Sequence, residues 1–210
     1  MKRILFILMA MLASCTQTPD KEGEYKGYQL PSYKVIKQEG AFELREYAPQ
    51  LVAEVTVKGT RDEAVGKGFR LLADYIFGGN LPQEKLAMTT PVNQVLAEGK
   101  HIPMTTPVAQ EQQGDSWKIQ FGMPKEYTLE TLPKAKNPQV HFRVIPAQQK
   151  AVIRFSGRAN DESLAEHLAK LENWVKQQQW QSTGTLTYAY YDAPFTLPHN
   201  RRNEVLMEVK

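Results

Sequence analysis

The sequence predicts an α+β fold: one strand-helix-strand-strand unit present twice, packed about a pseudo-twofold axis as a distorted antiparallel β-barrel with two flanking helices. Three observations carry this expectation. Ala53, Val55 and Val57 alternate and stop at Gly59, and Ala151, Ile153 and Phe155 alternate and stop at Gly157, all at an offset of 98. Period-two alternation marks a half-buried strand. Val65, Phe69, Leu72 and Ile76 then fall on one helical face, and Leu164, Leu168, Leu171 and Val175 repeat that spacing at an offset of 99. Each helix is followed by two extended stretches, and neither half is large enough to hold a core alone.

Taken in order, residues 1–14 read as a lipoprotein signal peptide. Lys2 and Arg3 precede the apolar run Ile4 to Leu12, which is too short to span a bilayer. Leu12-Ala13-Ser14-Cys15 resembles the bacterial lipobox, in which cleavage falls before a cysteine that becomes acylated. Cys15 is the only cysteine of the chain, which excludes an intrachain disulfide and a cysteine-based zinc site. By the same resemblance, Thr16 in place of Asp directs the protein to the outer membrane, facing the periplasm. Residues 15–32 are polar, contain Gly and Pro, and read as a lipidated flexible tether.

The folded domain is expected over residues 33–210, with halves of about 33–137 and 138–210. An extra strand lies near Tyr33 to Tyr47. Thr60 and Glu63 fit a capping box before the first helix, Gly78-Gly79-Asn80 stops it, and Asn160 or Asp161 caps the second. The extended pairs are the region of Leu86 to Val108 with Trp117 to Met123, and Thr185 to Tyr191 with Val205 to Val209. Met88-Thr-Thr-Pro-Val92 recurs as Met104-Thr-Thr-Pro-Val108 and suggests a hairpin, with each proline confined to an edge or bulge.

Composition narrows the function. Removing residues 1–14 takes Lys2 and Arg3 away and leaves 24 basic against 23 acidic residues, no footprint for nucleic acid. No G-x-S-x-G, H-E-x-x-H or P-loop appears. Glu43, Glu46 and Asp192 read as scattered surface carboxylates. Met88, Met104, Met123 and Met207 sit in predicted strands and read as packing, not as a copper site.

Several motifs occur together: Tyr33-Lys-Val-Ile36, Phe42-Glu-Leu-Arg-Glu-Tyr47, Gly68-Phe69 through Gly79-Asn80, and Lys85-Leu-Ala-Met-Thr-Thr-Pro-Val92. Then come Trp117, Phe121-Gly-Met-Pro124, Phe155-Ser-Gly157, Tyr191-Asp-Ala-Pro194 and Arg201-Arg-Asn-Glu-Val205. In this order over residues 33–210 they resemble the SOUL/haem-binding protein family, whose fold is close to gyrase-inhibitor-like domains. The resemblance implies reversible binding of haem or a related tetrapyrrole by a carrier or buffer, without catalysis. It places the site between the first helix, Arg61 to Ile76, and the loop Ala193 to Asn203.

A porphyrin is a flat apolar plate carrying two carboxylates, so it suits an apolar groove rimmed by cations. On this placement Phe69, Leu72, Ile76, Phe195 and Leu197 supply the groove, and Arg61, Lys67, Arg70 and Arg201 meet the propionates. The first three also fit plain core, because the matched set in the second helix needs no ligand. Of His101, His141, His167 and His199, only His199 lies in the loop and is a candidate for haem iron; no other metal site is expected. Animal members carry basic residues where this chain has Gly66 and Asp74. The expected state is a monomer that meets the membrane through its lipid. A module for another amphipathic molecule, or a cleft hydrolase of small reactive compounds, is the alternative.

Overall fold

The computed structural model describes residues 23–82, 86, 88–96 and 116–210. The signal peptide, Cys15, Lys85, His101, Met104 and the second Met-Thr-Thr-Pro-Val segment lie outside the described residues. Two short strands, β1 (Glu24–Tyr25) and β2 (Tyr28–Gln29), form a hairpin; β3 (Tyr33–Glu39), β4 (Phe42–Tyr47) and β5 (Gln50–Lys58) lead into α1 (Arg61–Ile76). The short β6 (Asn80–Leu81) precedes β7 (Val92–Leu96) and β8 (Ser116–Gly122), and β9 (Lys134–Ala135) pairs back with β6. Next, β10 (His141–Ile145) and β11 (Gln148–Phe155) lead into α2 (Asp161–Gln177). After it come β12 (Ser182–Tyr190), a 3-10 turn (Pro198–Asn200) and β13 (Asn203–Val209).

The expected caps form. The Thr60 hydroxyl accepts from the Glu63 amide at 3.4 Å while the Glu63 carboxylate accepts from the Thr60 amide at 3.2 Å. Asn160, rather than Asp161, caps α2 by accepting from the Ser163 amide at 3.0 Å. No helix among the described residues is long and apolar enough to cross a membrane.

Nine strands make one antiparallel sheet, in the order β10-β5-β8-β7-β12-β13-β11-β4-β3, curled into a half-barrel with two helices against it. The duplication is visible in that order. From the β7/β12 boundary, β7-β8-β5 runs one way and β12-β13-β11 the other. The halves also exchange a strand. β4 precedes β5 in the chain but pairs with β11, and β10 precedes β11 but pairs with β5. Leu44 faces Ala151 and Phe142 faces Ala53, so the exchanged strands keep the offset of 98.

Three expectations are corrected. The stretch Tyr33 to Tyr47 is a hairpin of two strands, β3 and β4, not one strand. His141 lies in the edge strand β10, a strand absent from the expected strand-helix-strand-strand unit; none of its five residues is buried, so no core run marks it. The segment 23–32 is folded, not tether: Tyr25 and Leu30 are buried against Tyr47, Val152 and Tyr191. Tyr25 is the anchor: its ring lies 5.7 Å from that of Tyr191 and its hydroxyl donates to Asp192 at 3.1 Å, whereas Tyr28 is exposed.

Each helix covers its own core. Leu72, Tyr75 and Ile76 of α1 pack on Ala53, Val55, Ile119 and Phe121, and Leu164, Leu171, Trp174 and Val175 of α2 pack on Ala151, Ile153 and Val205. Gly68 allows the first contact, because a Cβ there would overlap the Ile119 side chain. The opposite face of the sheet holds a buried ionic cluster. Arg45 donates to both Glu204 carboxylate oxygens, at 2.8 and 3.0 Å; Arg202 donates at 2.7 Å and the Tyr191 hydroxyl at 2.6 Å.

Candidate functional site

α1 rests on β5 and β8, and α2 rests on β11 and β13. The central strands β7 and β12 therefore floor a seam between the helices. Cross-strand partners run across this floor as rows, Phe121-Val92-Tyr190-Asn203 and Ile119-Gln94-Tyr188-Val205. Trp117 and Tyr188, both half-buried, approach with ring centroids 6.4 Å apart. Phe69 leans over the α1 side, 36% exposed, its ring 5.4 Å from that of Phe121.

One end of the seam is closed by the first residues of the two helices. Arg61 donates through Nε to Asp161 and through Nη2 to Asp62, each at 2.5 Å, and through Nη1 to the Tyr190 hydroxyl at 3.0 Å. The Tyr190 hydroxyl donates to Gln94 at 3.1 Å, and the Gln94 amide donates back to the Arg61 carbonyl at 3.0 Å. Burial pushes the Tyr190 phenol up to about 12 against the opposing pull of Arg61, and burial raises that of Tyr188 as well. Both hydroxyls therefore stay protonated at neutral pH and remain donors. The site is an aromatic floor with protonated phenols and one buried guanidinium at its end. The guanidinium is already paired with two carboxylates, so the arrangement suits a flat apolar ligand held by the floor.

The structure divides the residues that the sequence grouped. Arg61 and Phe69 face the seam. Leu72 and Ile76 are fully buried under α1 and present no groove surface, because they sit on the centre of its core face. Lys67 and Arg70 turn to the other flank of α1. There they line an open groove of about 500 Å³ with Lys58, Val57, Leu71 and Gln139. At about 100° per residue, Lys67 lies well round the helix from Phe69, so their separation was readable from spacing.

The loop residues form a third group. Arg201 donates to the carbonyls of Thr196 at 2.7 Å and Pro194 at 2.6 Å, so its guanidinium shapes the loop rather than facing a ligand. Phe195 and Leu197 are 90% and 61% exposed, and His199 is exposed. The loop's hydrogen bonds run within itself, to Gly157 and to Lys26; none described reaches α1. His167 stacks on Phe155 at 3.9 Å and bonds the Ser163 carbonyl, in the manner of a packed residue. Among the described residues no group of three or more His, Cys, Asp or Glu is placed to hold a metal.

Sequence reasoning missed Gln94, Tyr188 and Tyr190 as seam residues. Their signal was weak: Tyr188 and Tyr190 share the parity of one strand face, but the strand's neighbours were unknown. A separate cavity of about 460 Å³ lies beside Leu30, Leu51, Thr89, Met123 and Leu129, away from the seam.

Comparison with known proteins fits this geometry. Heme-binding protein 2 of Mus musculus is 26% identical over 188 residues, which cover 87% of this chain and 86% of that protein. The solved C-terminal domain of EcmrR has a TM-score of 0.59 at 14% identity, covering 85% of this chain and 98% of that one. An uncharacterized conserved protein from Listeria innocua has a TM-score of 0.60 at 14% identity, covering 80% and 92%. Such structural likenesses establish the fold. The model of the family described as SOUL heme-binding protein matches residues 28–208, nearly the whole described chain, and on that match this protein belongs to the SOUL heme-binding family.

Proposed function

We propose that this protein is a lipid-anchored carrier or buffer of haem or a related tetrapyrrole in the bacterial envelope, and that the ring lies in the seam between α1 and α2. Family membership supports the ligand class. The observation that carries the placement is the half-buried aromatic floor of Trp117 and Tyr188, flanked by Phe69 and ended by Arg61. A ring plate stacks on such a floor, and the Arg61 cluster, already ion-paired to Asp62 and Asp161, bounds it at one end. Burial and stacking then provide most of the affinity, so iron ligation by the protein is not required. The lipobox at Cys15 supports anchoring, and Thr16 supports the outer membrane, facing the periplasm. Binding without chemistry is part of the proposal; turnover of an ester or epoxide panel by the pure protein would overturn that part.

The test is titration of haemin, followed at the Soret band, into a soluble form beginning at residue 21, with protoporphyrin IX in parallel. Saturation near one equivalent is expected for both rings, with similar affinities. Trp117→Leu and Phe69→Ala are each expected to weaken binding by roughly tenfold, the scale of one lost aromatic contact. No saturable change with either ring would remove the tetrapyrrole. Saturation unaffected by both substitutions would move the site elsewhere.

A further inference from the structure

The loop between β12 and β13 has features that tetrapyrrole binding does not use. Pro194, Phe195, Thr196, Leu197 and Pro198 form a projecting apolar tip. Phe195 is 90% exposed and Leu197 is 61% exposed, so the two largest side chains of the tip are mostly in water. An aromatic ring held in water at the end of an ordered loop marks a contact surface rather than a core residue. The tip is nevertheless built. Arg201 holds the carbonyls of Pro194 and Thr196, the Gly157 amide holds the carbonyl of Pro198 at 2.9 Å, and two prolines fix the backbone on either side. A loop braced this way does not fold its phenylalanine back onto the domain.

The start of the described chain is tied to the base of the same loop. Asp192 accepts from the Tyr25 hydroxyl at 3.1 Å, from the Lys26 ammonium at 2.5 Å and from the Arg202 amide at 2.7 Å. Lys26 also donates to the Asn200 carbonyl at 3.3 Å. Hairpin β1-β2 and the loop therefore move together. Only residues 16–22 separate Cys15 from Gly23. However they run, they span at most about 30 Å. A lipid on Cys15 thus keeps Gly23, where the hairpin tied to the base of the loop begins, within that distance of the bilayer, and Arg158, exposed beside the Gly157 contact, adds a cation suited to anionic headgroups.

We propose that the Pro194–Pro198 loop is the face this protein lays on the bilayer that holds its anchor, with Phe195 and Leu197 entering the interfacial layer of the leaflet. The inference rests on the lipid-anchor reading of Cys15. It gives the molecule a second membrane contact besides the acyl chains, and it orients the domain on the surface.

The full chain, purified from bacterial membranes in detergent and reconstituted into phosphatidylethanolamine/phosphatidylglycerol vesicles, tests this. Phe195→Cys carrying an environment-sensitive fluorophore is compared with Lys176→Cys, near the far end of α2, carrying the same label. The label at position 195 is expected to shift to the blue on reconstitution and to be quenched by nitroxide lipids, and the label at 176 to do neither. Intact mass of the purified chain reads the anchor separately. If the acyl mass is absent from Cys15, the anchor reading fails and the inference falls with it. If the mass is present and the label at 195 stays in water, only the inference falls. A blue shift that depends on protein concentration without vesicles assigns the tip to a second copy of the chain and likewise overturns it.

Discussion

Glu204 is fully buried beneath the sheet, yet it is charged. Burial pushes its carboxyl up, but Arg45 and Arg202 outweigh that and hold it down at about 2. Arg45 is 1% exposed, spans both carboxylate oxygens and also donates through Nε to Glu43 at 2.6 Å. A folded value below the ordinary 4.5 means the contribution is complete above 4.5, declines as pH falls below it, and is gone below about 2. Glu204→Gln should cost about 3–5 kcal/mol at pH 7, because it takes a buried carboxylate from both guanidinium groups, Arg45 keeping only Glu43. Urea midpoints of both proteins, measured from pH 7 to pH 2, should converge as acid removes what the substitution removes. A gap that stays constant with pH would overturn this account of the charge. The motifs Phe42-Glu-Leu-Arg-Glu-Tyr47, Tyr191-Asp-Ala-Pro194 and Arg201-Arg-Asn-Glu-Val205 contain the members of this cluster. Their meeting was not legible, because 159 residues separate Arg45 from Glu204 in the chain.

α1 carries two internal glycines with opposite surroundings. At Gly68 a Cβ would overlap the Ile119 side chain, whereas at Gly66 the nearest atom is the flexible end of Arg70 at 3.8 Å. Gly68→Ala should therefore destabilise by about 1–3 kcal/mol through overpacking, despite the better helix former. Gly66→Ala should stabilise by about 0.5–1 kcal/mol, since nothing opposes the gain in propensity. Thermal melts of the two variants should move in opposite directions; movement in the same direction would refute the packing difference. The helices themselves were legible from spacing and caps because those signals lie within a few residues. What each flank of α1 faces was only half legible. The spacing separates Lys67 from Phe69, but it does not tell which side meets α2 and which meets the edge of the sheet.

At the scale of the molecule, the exchanged strands β4 and β10 make each half depend on the other. A chain cut at residues 137/138 should give fragments 23–137 and 138–210 that are each unfolded alone, because β11 loses β4 and β5 loses β10. Mixed, they should recover the sheet signal in circular dichroism. A folded isolated 138–210 would show that the exchange is dispensable. The duplicated unit, both helices with their caps, the matched strands and the family are legible in the order of residues, because alternation, helical spacing and capping are local patterns that survive duplication in register. The folded molecule was needed to show that β4 and β10 cross between halves, and that 23–32 is part of the fold. It also decided that the grouped site residues divide among the seam, the core, the outer flank of α1 and a projecting loop. Those outcomes turn on which distant strand lies beside which, and on what each guanidinium finds within about 3 Å. Chain order does not encode that adjacency; the packing of the curled sheet supplies it.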